Sequence, residues 1–116
     1  MKLRDLYKKA IQTGIEHDPR GSQAALKDLD LKKKDFEDLK PDEKAFFDTE
    51  SLTNPYADSR ILHGSGEEEI KNILVGIDID VGELLLADNL RTKGQRIDLL
   101  ISHHPSGKAF ADLHAV

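Results

Sequence analysis

Hydrophobic residues recur at spacings of three and four over the first forty positions, which is the pattern of amphipathic helices. The first stripe runs from Leu3 to Ile15 and predicts a helix that ends near Gly14, before the turn-forming residues 17–21. A second helix is expected to follow with Ser22 as its N-cap. Its buried stripe would comprise Ala25, Leu26, Leu29, Phe36 and Leu39.

The pattern then becomes irregular up to about residue 70. Pro41 predicts the first turn of a third, short helix, because proline is tolerated where a helix begins. That helix would carry Phe46 and Phe47. Residues 60–63 suggest a short strand that precedes the turn Gly64-Ser65-Gly66. These glycines resemble a phosphate-binding loop only superficially, because such a loop needs a strand before it and a helix directly after it.

Strict alternation replaces this pattern at residues 73–80, where Ile73, Val75, Ile77 and Ile79 share one face of a predicted strand. We expect that face to lie in the core. Residues 81–92 return to helical spacing and end at Lys93-Gly94, and residues 97–102 form a second apolar run of strand length. Strand, helix and strand in this order predict a βαβ unit with two parallel strands.

The composition divides the chain into two unlike parts. Residues 1–58 carry 24 charged side chains against 15 in residues 59–116, while 15 of the 28 Ile, Leu and Val residues lie in 70–101. We therefore predict an α/β fold in which an exposed, charged helical arm, residues 1–48, leads into a buried α/β unit, residues 49–116. The βαβ unit would belong to a mostly parallel sheet.

Composition also excludes several classes of function. Without cysteine the chain has no disulfide, thiolate nucleophile or cysteine-ligated zinc, which favours a reducing, cytoplasmic location. It has no run of about 20 apolar residues that could span a membrane. A net charge of −5 and only six aromatic residues disfavour nucleic-acid binding. Lys32-Lys33-Lys34 is interpreted as a solvated helix face, because five carboxylates lie close to it in sequence.

Chemistry-bearing residues follow both predicted strands. Asp78 and Asp80 come at the end of the first, and His103 and His104 directly after the second. Parallel strands end at one edge of a sheet, where α/β proteins bind their ligands, so these side chains are expected to meet there. Imidazole with nearby carboxylates suits a divalent metal such as Zn, Mn or Fe, and two neighbouring metals can activate water for hydrolysis. The alternative is that the histidines only line a polar loop and cap the next helix.

The stretches 97–107, IDLLISHHPSG, and 73–83, ILVGIDIDVGE, resemble the NGG-one-interacting factor three (Nif-three-like) family, also called GTP cyclohydrolase I type 2 homologues. The resemblance covers about residues 54–116. It implies an α/β protein with a dinuclear metal centre, assembled as a hexameric ring, with metal-dependent hydrolytic activity. It also implies that His103 and His104 are metal ligands and that Asp78 lies near the site without ligating the metal.

The resemblance also implies a longer chain. Family members complete the centre with a downstream aspartate and a C-terminal histidine and glutamate, for which this sequence has no counterpart. We therefore expect the chain to be an N-terminal portion with little or no activity by itself. His114 is a weaker candidate for a third ligand, because it lies ten residues after His104. His17 and His63 are expected to be ordinary loop or strand-edge residues.

Two functions remain open at this point. The first is a dinuclear metal-binding protein that acts as a metal-dependent hydrolase or cyclohydrolase on an unidentified small molecule. The second is a non-catalytic interaction or assembly module, in which the helical arm of residues 1–48 contacts a partner or a neighbouring subunit. In either case the resemblance favours a homo-oligomer.

Overall fold

A computed structural model describes residues 1–111 and shows a mixed α/β fold. The helices and strands follow in the order α1 Leu3–Glu16, α2 Ser22–Asp38, α3 Pro41–Lys44, a 3-10 turn Thr49–Leu52, β1 Ile73–Gly76, α4 Val81–Thr92, β2 Leu99–Ser102 and α5 Gly107–Ala111. The spacing of apolar residues therefore placed α1, α2 and α4 correctly. Pro41 marks the start of α3 as predicted, but the helix ends at Lys44, so the expectation that it carries Phe46 and Phe47 is wrong. Within residues 1–111, no helix has the length and apolar character needed to cross a membrane.

The predicted parallel strand pair is confirmed. Within the described residues β1 and β2 form a two-stranded parallel sheet, in register from Ile73 opposite Leu99 to Gly76 opposite Ser102. Helix α4 lies between them in the chain, with Asp80 as its N-cap and Lys93 as its C-cap. Each strand has only four residues, so the ladder is shorter than the alternation in the sequence suggested.

The hydrophobic core lies between α1 and α2. Buried side chains from both helices meet there, with two partly buried tyrosines packed against them: Ile11, Ile15, Ala25, Leu29, Tyr7 and Tyr56. Burial of these apolar side chains is the main term that stabilises the helix pair. The stripe that the sequence indicated for α1 is therefore a core-forming face.

The expectation of an exposed arm and a buried sheet is wrong in both parts. The arm contains the core, whereas Ile73, Val75 and Ile77 are 43%, 68% and 64% exposed. Parallel sheets are normally covered on both faces, whereas in β1 the face of Leu74 is partly buried and the face of Ile73 and Val75 is exposed. Two side chains assigned to helix packing are exposed as well, Leu26 at 43% and Phe46 at 93%.

The short strand expected at residues 60–63 is also wrong, because this segment has no strand pairing. Arg60 turns inward instead, with its side chain 2% exposed, and donates hydrogen bonds to the carbonyl oxygens of Tyr56 and Ser59. A charged side chain drawn inwards to carbonyl acceptors is incompatible with the alternating strand pattern. Ser22 is the first residue of α2, and Gly21, with φ of 90°, takes the N-cap position.

Contacts across residue 48 join the predicted arm to the segment that follows it. The Tyr56 hydroxyl donates to Asp18 at 3.1 Å, and the backbone N–H of Leu3 donates to the carbonyl of Glu68 at 2.9 Å. We call residues 1–60 the helical unit, since they share the core. The domain boundary between residues 48 and 49 stays a prediction.

Candidate metal centre

The ends of β1 and β2 bring the candidate residues to one edge of the sheet. Pairing continues past the strands, because the backbone N–H of His103 donates to Gly76 at 2.9 Å and that of His104 donates to Ile77 at 2.7 Å. The two histidine backbones are therefore held directly beside the segment that leads to Asp78. This is the juxtaposition that parallel strand order predicts.

Asp78 and His104 form a hydrogen-bonded pair. The Nδ1 atom of His104 lies 2.9 Å from Oδ1 of Asp78. An ionised carboxylate only accepts hydrogen bonds, so the proton of a neutral His104 ring lies on Nδ1 and the lone pair on Nε2 is free. Both side chains are more than half exposed, at 57% for His104 and 74% for Asp78, so the pair is open to a ligand.

Residues 103–106, which we call the histidine turn, are stiffened by local bonds. The hydroxyl of Ser102 lies 2.7 Å from the carbonyl oxygen of His104, to which it donates. Gly107 has φ of 55°, a left-handed conformation that glycine adopts without steric cost. The carbonyl of Ser106 accepts from the N–H of Ala109 at 3.1 Å, which starts α5. The histidine turn therefore has a defined path between β2 and α5.

A crevice of about 300 Å³ lies at this edge and is lined by Asp78, Ile79, Asp80, Ser102, His104, Pro105 and Ser106. Asp80 is partly committed to capping α4, because its carboxylate accepts from the N–H of Val81 at 2.8 Å. Glu83 accepts in return from the N–H of Asp80 at 3.0 Å, so the two residues form a capping box. The crevice thus combines one imidazole, two carboxylates and two hydroxyls.

His103 takes a different place from His104. It is not among the residues that line the crevice, although its ring centroid lies 5.4 Å from that of His104, with 34° between the ring planes. In residues 1–111 no three His, Asp or Glu side chains converge as a metal-binding group. His114 lies outside the described residues. The ring of His17 contacts the carbonyl of Thr13 at 2.9 Å, within its own helix.

The arrangement allows two kinds of chemistry. A histidine whose second nitrogen is bonded to a carboxylate is the usual form of a metal-ligating histidine. The same pair can also act as a general base, since the carboxylate orients the ring and stabilises its protonated form. In both cases Nε2 of His104 is the reactive atom and Asp78 acts through it.

Sequence reasoning missed a second polar cluster, which lies around Glu50. The hydroxyl of Tyr7 donates to Glu50 at 2.5 Å, and Asn54 donates to Tyr7 at 2.7 Å. Burial, together with the Glu50 carboxylate, raises the pKa of Tyr7 above its usual value. Lys108 of α5 donates to Glu50 at 2.5 Å. No spacing in the sequence indicates this cluster, because Tyr7 and Lys108 lie 43 and 58 positions from Glu50.

The glycine turn at residues 64–66 binds the side-chain carboxylate of Glu68. The backbone N–H groups of Ser65 and Gly66 donate to the carboxylate of Glu68 at 2.7 and 2.9 Å. Hydrogen bonds from the backbone and hydroxyl of Ser65, with that from Gly66, lower the pKa of Glu68 to about 2. These donors are therefore engaged within the loop.

Comparisons of the chain with protein-family models, with curated proteins and with solved structures found no match. The candidate site therefore rests on its own geometry and on the motif described above.

Proposed function

We propose that the chain is a divalent-metal-binding protein with a partial Nif-three-like fold, in which His104 and His103 are ligands. In the full site it would support metal-dependent hydrolysis of a small molecule, with two metals as the resemblance implies. The observation that carries this proposal is the hydrogen bond of 2.9 Å between Nδ1 of His104 and Asp78. It leaves Nε2 available, as a ligating imidazole requires.

The surroundings of His104 support the proposal. A carboxylate partner fixes the tautomer and the ring orientation, and it raises the basicity of the free nitrogen. Asp80 lines the same crevice and adds oxygen donors, which suit Zn, Mn or Fe together with imidazole. A divalent cation would supply Lewis acidity to a bound substrate. Asp78 is thus the orienting carboxylate and His104 the principal ligand.

His103 is the second proposed ligand. Its ring lies beside that of His104, 5.4 Å between centroids, which suits two neighbouring ions rather than one shared ion. Catalytic zinc sites usually have three protein ligands and structural sites four. Because residues 1–111 bring no such group together, we expect weak binding and little hydrolysis from this chain.

Isothermal titration with Zn²⁺, Mn²⁺ and Fe²⁺ tests the proposal. We expect binding by the wild type, loss of binding in His104→Ala, and a loss of about 10–100-fold in affinity in Asp78→Asn. His17→Ala is the matched control, because His17 is an exposed histidine at the end of α1, where its ring lies 2.9 Å from the carbonyl oxygen of Thr13, and it does not line the crevice. Equal binding by the wild type and a His103→Ala/His104→Ala double variant would defeat the proposal.

A second candidate function is assembly into a homo-oligomer. Its support is the distribution of exposed large hydrophobic side chains, of which nine of fourteen lie between residues 73 and 110. Ile73, Val75, Ile77 and Ile101 form what we call the apolar sheet face, since Val75 pairs with Ile101. The helical arm is less suited to this role than expected, because its apolar stripe forms the core.

Light scattering over a range of concentrations tests assembly. We expect a mass above that of one chain, which falls to the monomer in a Val75→Lys/Ile77→Lys double variant. Phe46→Ser is the control, because it removes an aromatic side chain that is 93% exposed outside this face. Deletion of residues 1–48 would be uninformative, since it removes the core. A monomeric wild type at every concentration would exclude this candidate.

A further inference from the structure

Glu50 lies where the helical unit meets α5. One carboxylate oxygen, Oε1, accepts from the Tyr7 hydroxyl, and the other, Oε2, accepts from the Lys108 ammonium, both at 2.5 Å. Nε of Arg60 lies 3.8 Å from the same Oε2. The side chains of Glu50 and Arg60 are 21% and 2% exposed and so are largely shielded from solvent, whereas Lys108 is half exposed. The position of the Glu50 carboxylate is therefore fixed from three sides.

The buried charge of Arg60 requires the Glu50 carboxylate to stay close to it. Its Nε is a buried atom without a hydrogen-bond partner among the described residues. Attraction to Glu50 at 3.8 Å, together with the bond from Arg60 to Asp48 at 3.2 Å, compensates for the charge. A carboxylate held in this way cannot follow Lys108 if α5 moves. Glu50 thus acts as a fixed anchor for Lys108.

Lys108 is only four residues from His104. At the start of the connecting segment, the N–H of His104 donates to the carbonyl of Ile77 at 2.7 Å. At its end stands Gly107, where an added Cβ would lie 3.6 Å from the side chain of Leu62. The next residue but one, Ala109, is 3% exposed. The histidine turn is therefore held between the sheet edge on one side and Leu62 and Glu50, the neighbours of Gly107 and Lys108, on the other.

We infer that the ion pair between Glu50 and Lys108 positions the histidine turn, so that the helical unit sets the orientation of His104 towards Asp78. A single short helix such as α5, of which residues Gly107–Ala111 are described, is not stable without contacts to the rest of the protein. When the ion pair is removed, α5 moves away from Glu50 and the bond between His104 and Asp78 is populated less. The consequence for metal affinity rests on the proposed function, whereas the consequence for the imidazole does not.

Two substitutions at Lys108 test this role, with Lys93→Met as matched control for the loss of an exposed lysine after α4. Lys108→Met keeps the apolar stem and removes the charge, and Lys108→Arg restores the charge. Without metal, ¹H–¹⁵N NMR of the imidazole shows which ring nitrogen of His104 carries the proton. With Zn²⁺, isothermal titration gives the affinity.

We expect Lys108→Met to shift the imidazole signals of His104 towards a mixture of tautomers and to lower the Zn²⁺ affinity about fivefold, as suits a half-exposed ion pair. Lys108→Arg and Lys93→Met should keep wild-type values. Added salt should move the wild type towards the Lys108→Met values, because it screens the pair.

Wild-type imidazole signals in Lys108→Met would overturn the inference, and so would an equal change in Lys93→Met. If the wild type binds no Zn²⁺, the proposed function fails while the imidazole signals still decide this inference. Thermal unfolding of Lys108→Met should match that of Lys93→Met, since both side chains are at the surface. A large fall in the unfolding temperature of Lys108→Met alone, which Lys108→Arg does not restore, would also contradict a positioning role.

Discussion

Replacement of Asn54 by alanine should destabilise the helical unit strongly. Asn54 is 1% exposed and uses both ends of its amide. Its nitrogen donates to the Tyr7 hydroxyl and to the carbonyl of Ser59, each at 2.7 Å, and its oxygen accepts from the N–H of Tyr56 at 2.8 Å. The side chain thereby joins α1 to the loop that follows the 3-10 turn.

The expected loss of stability depends on which hydrogen bonds the partners of Asn54 keep after the substitution. Tyr7 keeps its bond to Glu50, and the carbonyl of Ser59 still accepts from Arg60. The N–H of Tyr56 is left without a partner among the described residues. Three hydrogen bonds at about 1 kcal/mol each, of which one leaves an unsatisfied donor, give a loss of about 2–4 kcal/mol. That is a large share of the roughly 5–15 kcal/mol typical of a small domain.

Urea unfolding followed by circular dichroism measures this loss. The urea concentration at the midpoint of unfolding should fall. The slope of the unfolding free energy against urea concentration should stay constant, since the surface exposed on unfolding is nearly unchanged. Asn89→Ala is the control, because Asn89 is exposed on α4, where alanine favours helix slightly. A loss below about 1 kcal/mol for Asn54→Ala would refute the assignment of Asn54 as a buried hydrogen-bonding link.

Three further predictions concern acid stability and the sheet. The hydrogen bond from Arg20 lowers the pKa of Asp18 from 3.8 to about 2, so its contribution to stability is complete above pH 4 and is lost towards pH 2. Urea titrations at pH 5 and pH 3 should show this loss, which Asp18→Asn should reduce. Gly76→Ala should lower metal affinity in calorimetry, because its Cβ would lie 2.9 Å from the carbonyl oxygen of Asp78. Asp98→Ala should increase amide exchange at the start of β1, because this carboxylate accepts from two backbone N–H groups there at 2.9 and 3.0 Å.

Each of these has a contrary result. An unchanged pH dependence in Asp18→Asn would show that the bond to Arg20 does not couple to folding. Wild-type metal affinity in Gly76→Ala would mean that the edge near Asp78 adapts to the added methyl group. Unaltered exchange in Asp98→Ala would show that the sheet begins without this carboxylate, whose pKa is lowered to about 2 chiefly by Arg96.

Local patterns predicted the elements well and their burial poorly. The alternation at residues 73–80 located β1, and the spacing at 81–92 located α4, because both signals reside in neighbouring residues. Burial depends instead on which layers cover an element, and no periodicity carries that information. Val75 thus has the side chain expected of a core strand and is 68% exposed.

The candidate site was predictable to the extent that it follows from parallel strand order. Two strands that end at one edge place Asp78 beside His104, and the structure has this contact. The direction of each imidazole depends on the path of the histidine turn, so the separate place of His103 could not be foreseen. The Glu50 cluster depends on tertiary packing of distant segments and left no signal in the sequence.

The apolar sheet face has a practical consequence for work in solution. Among residues 1–111 no further strand pairs with the outer side of β1 or β2, and isoleucine and valine side chains lie beside these edges, an arrangement that favours aggregation. Electrostatic repulsion between chains of net charge −5 opposes this association. Dissolved salt screens the repulsion but does not weaken the hydrophobic attraction. The protein should therefore stay in solution at low ionic strength, whereas high salt concentrations should promote aggregation and raise the turbidity of the solution.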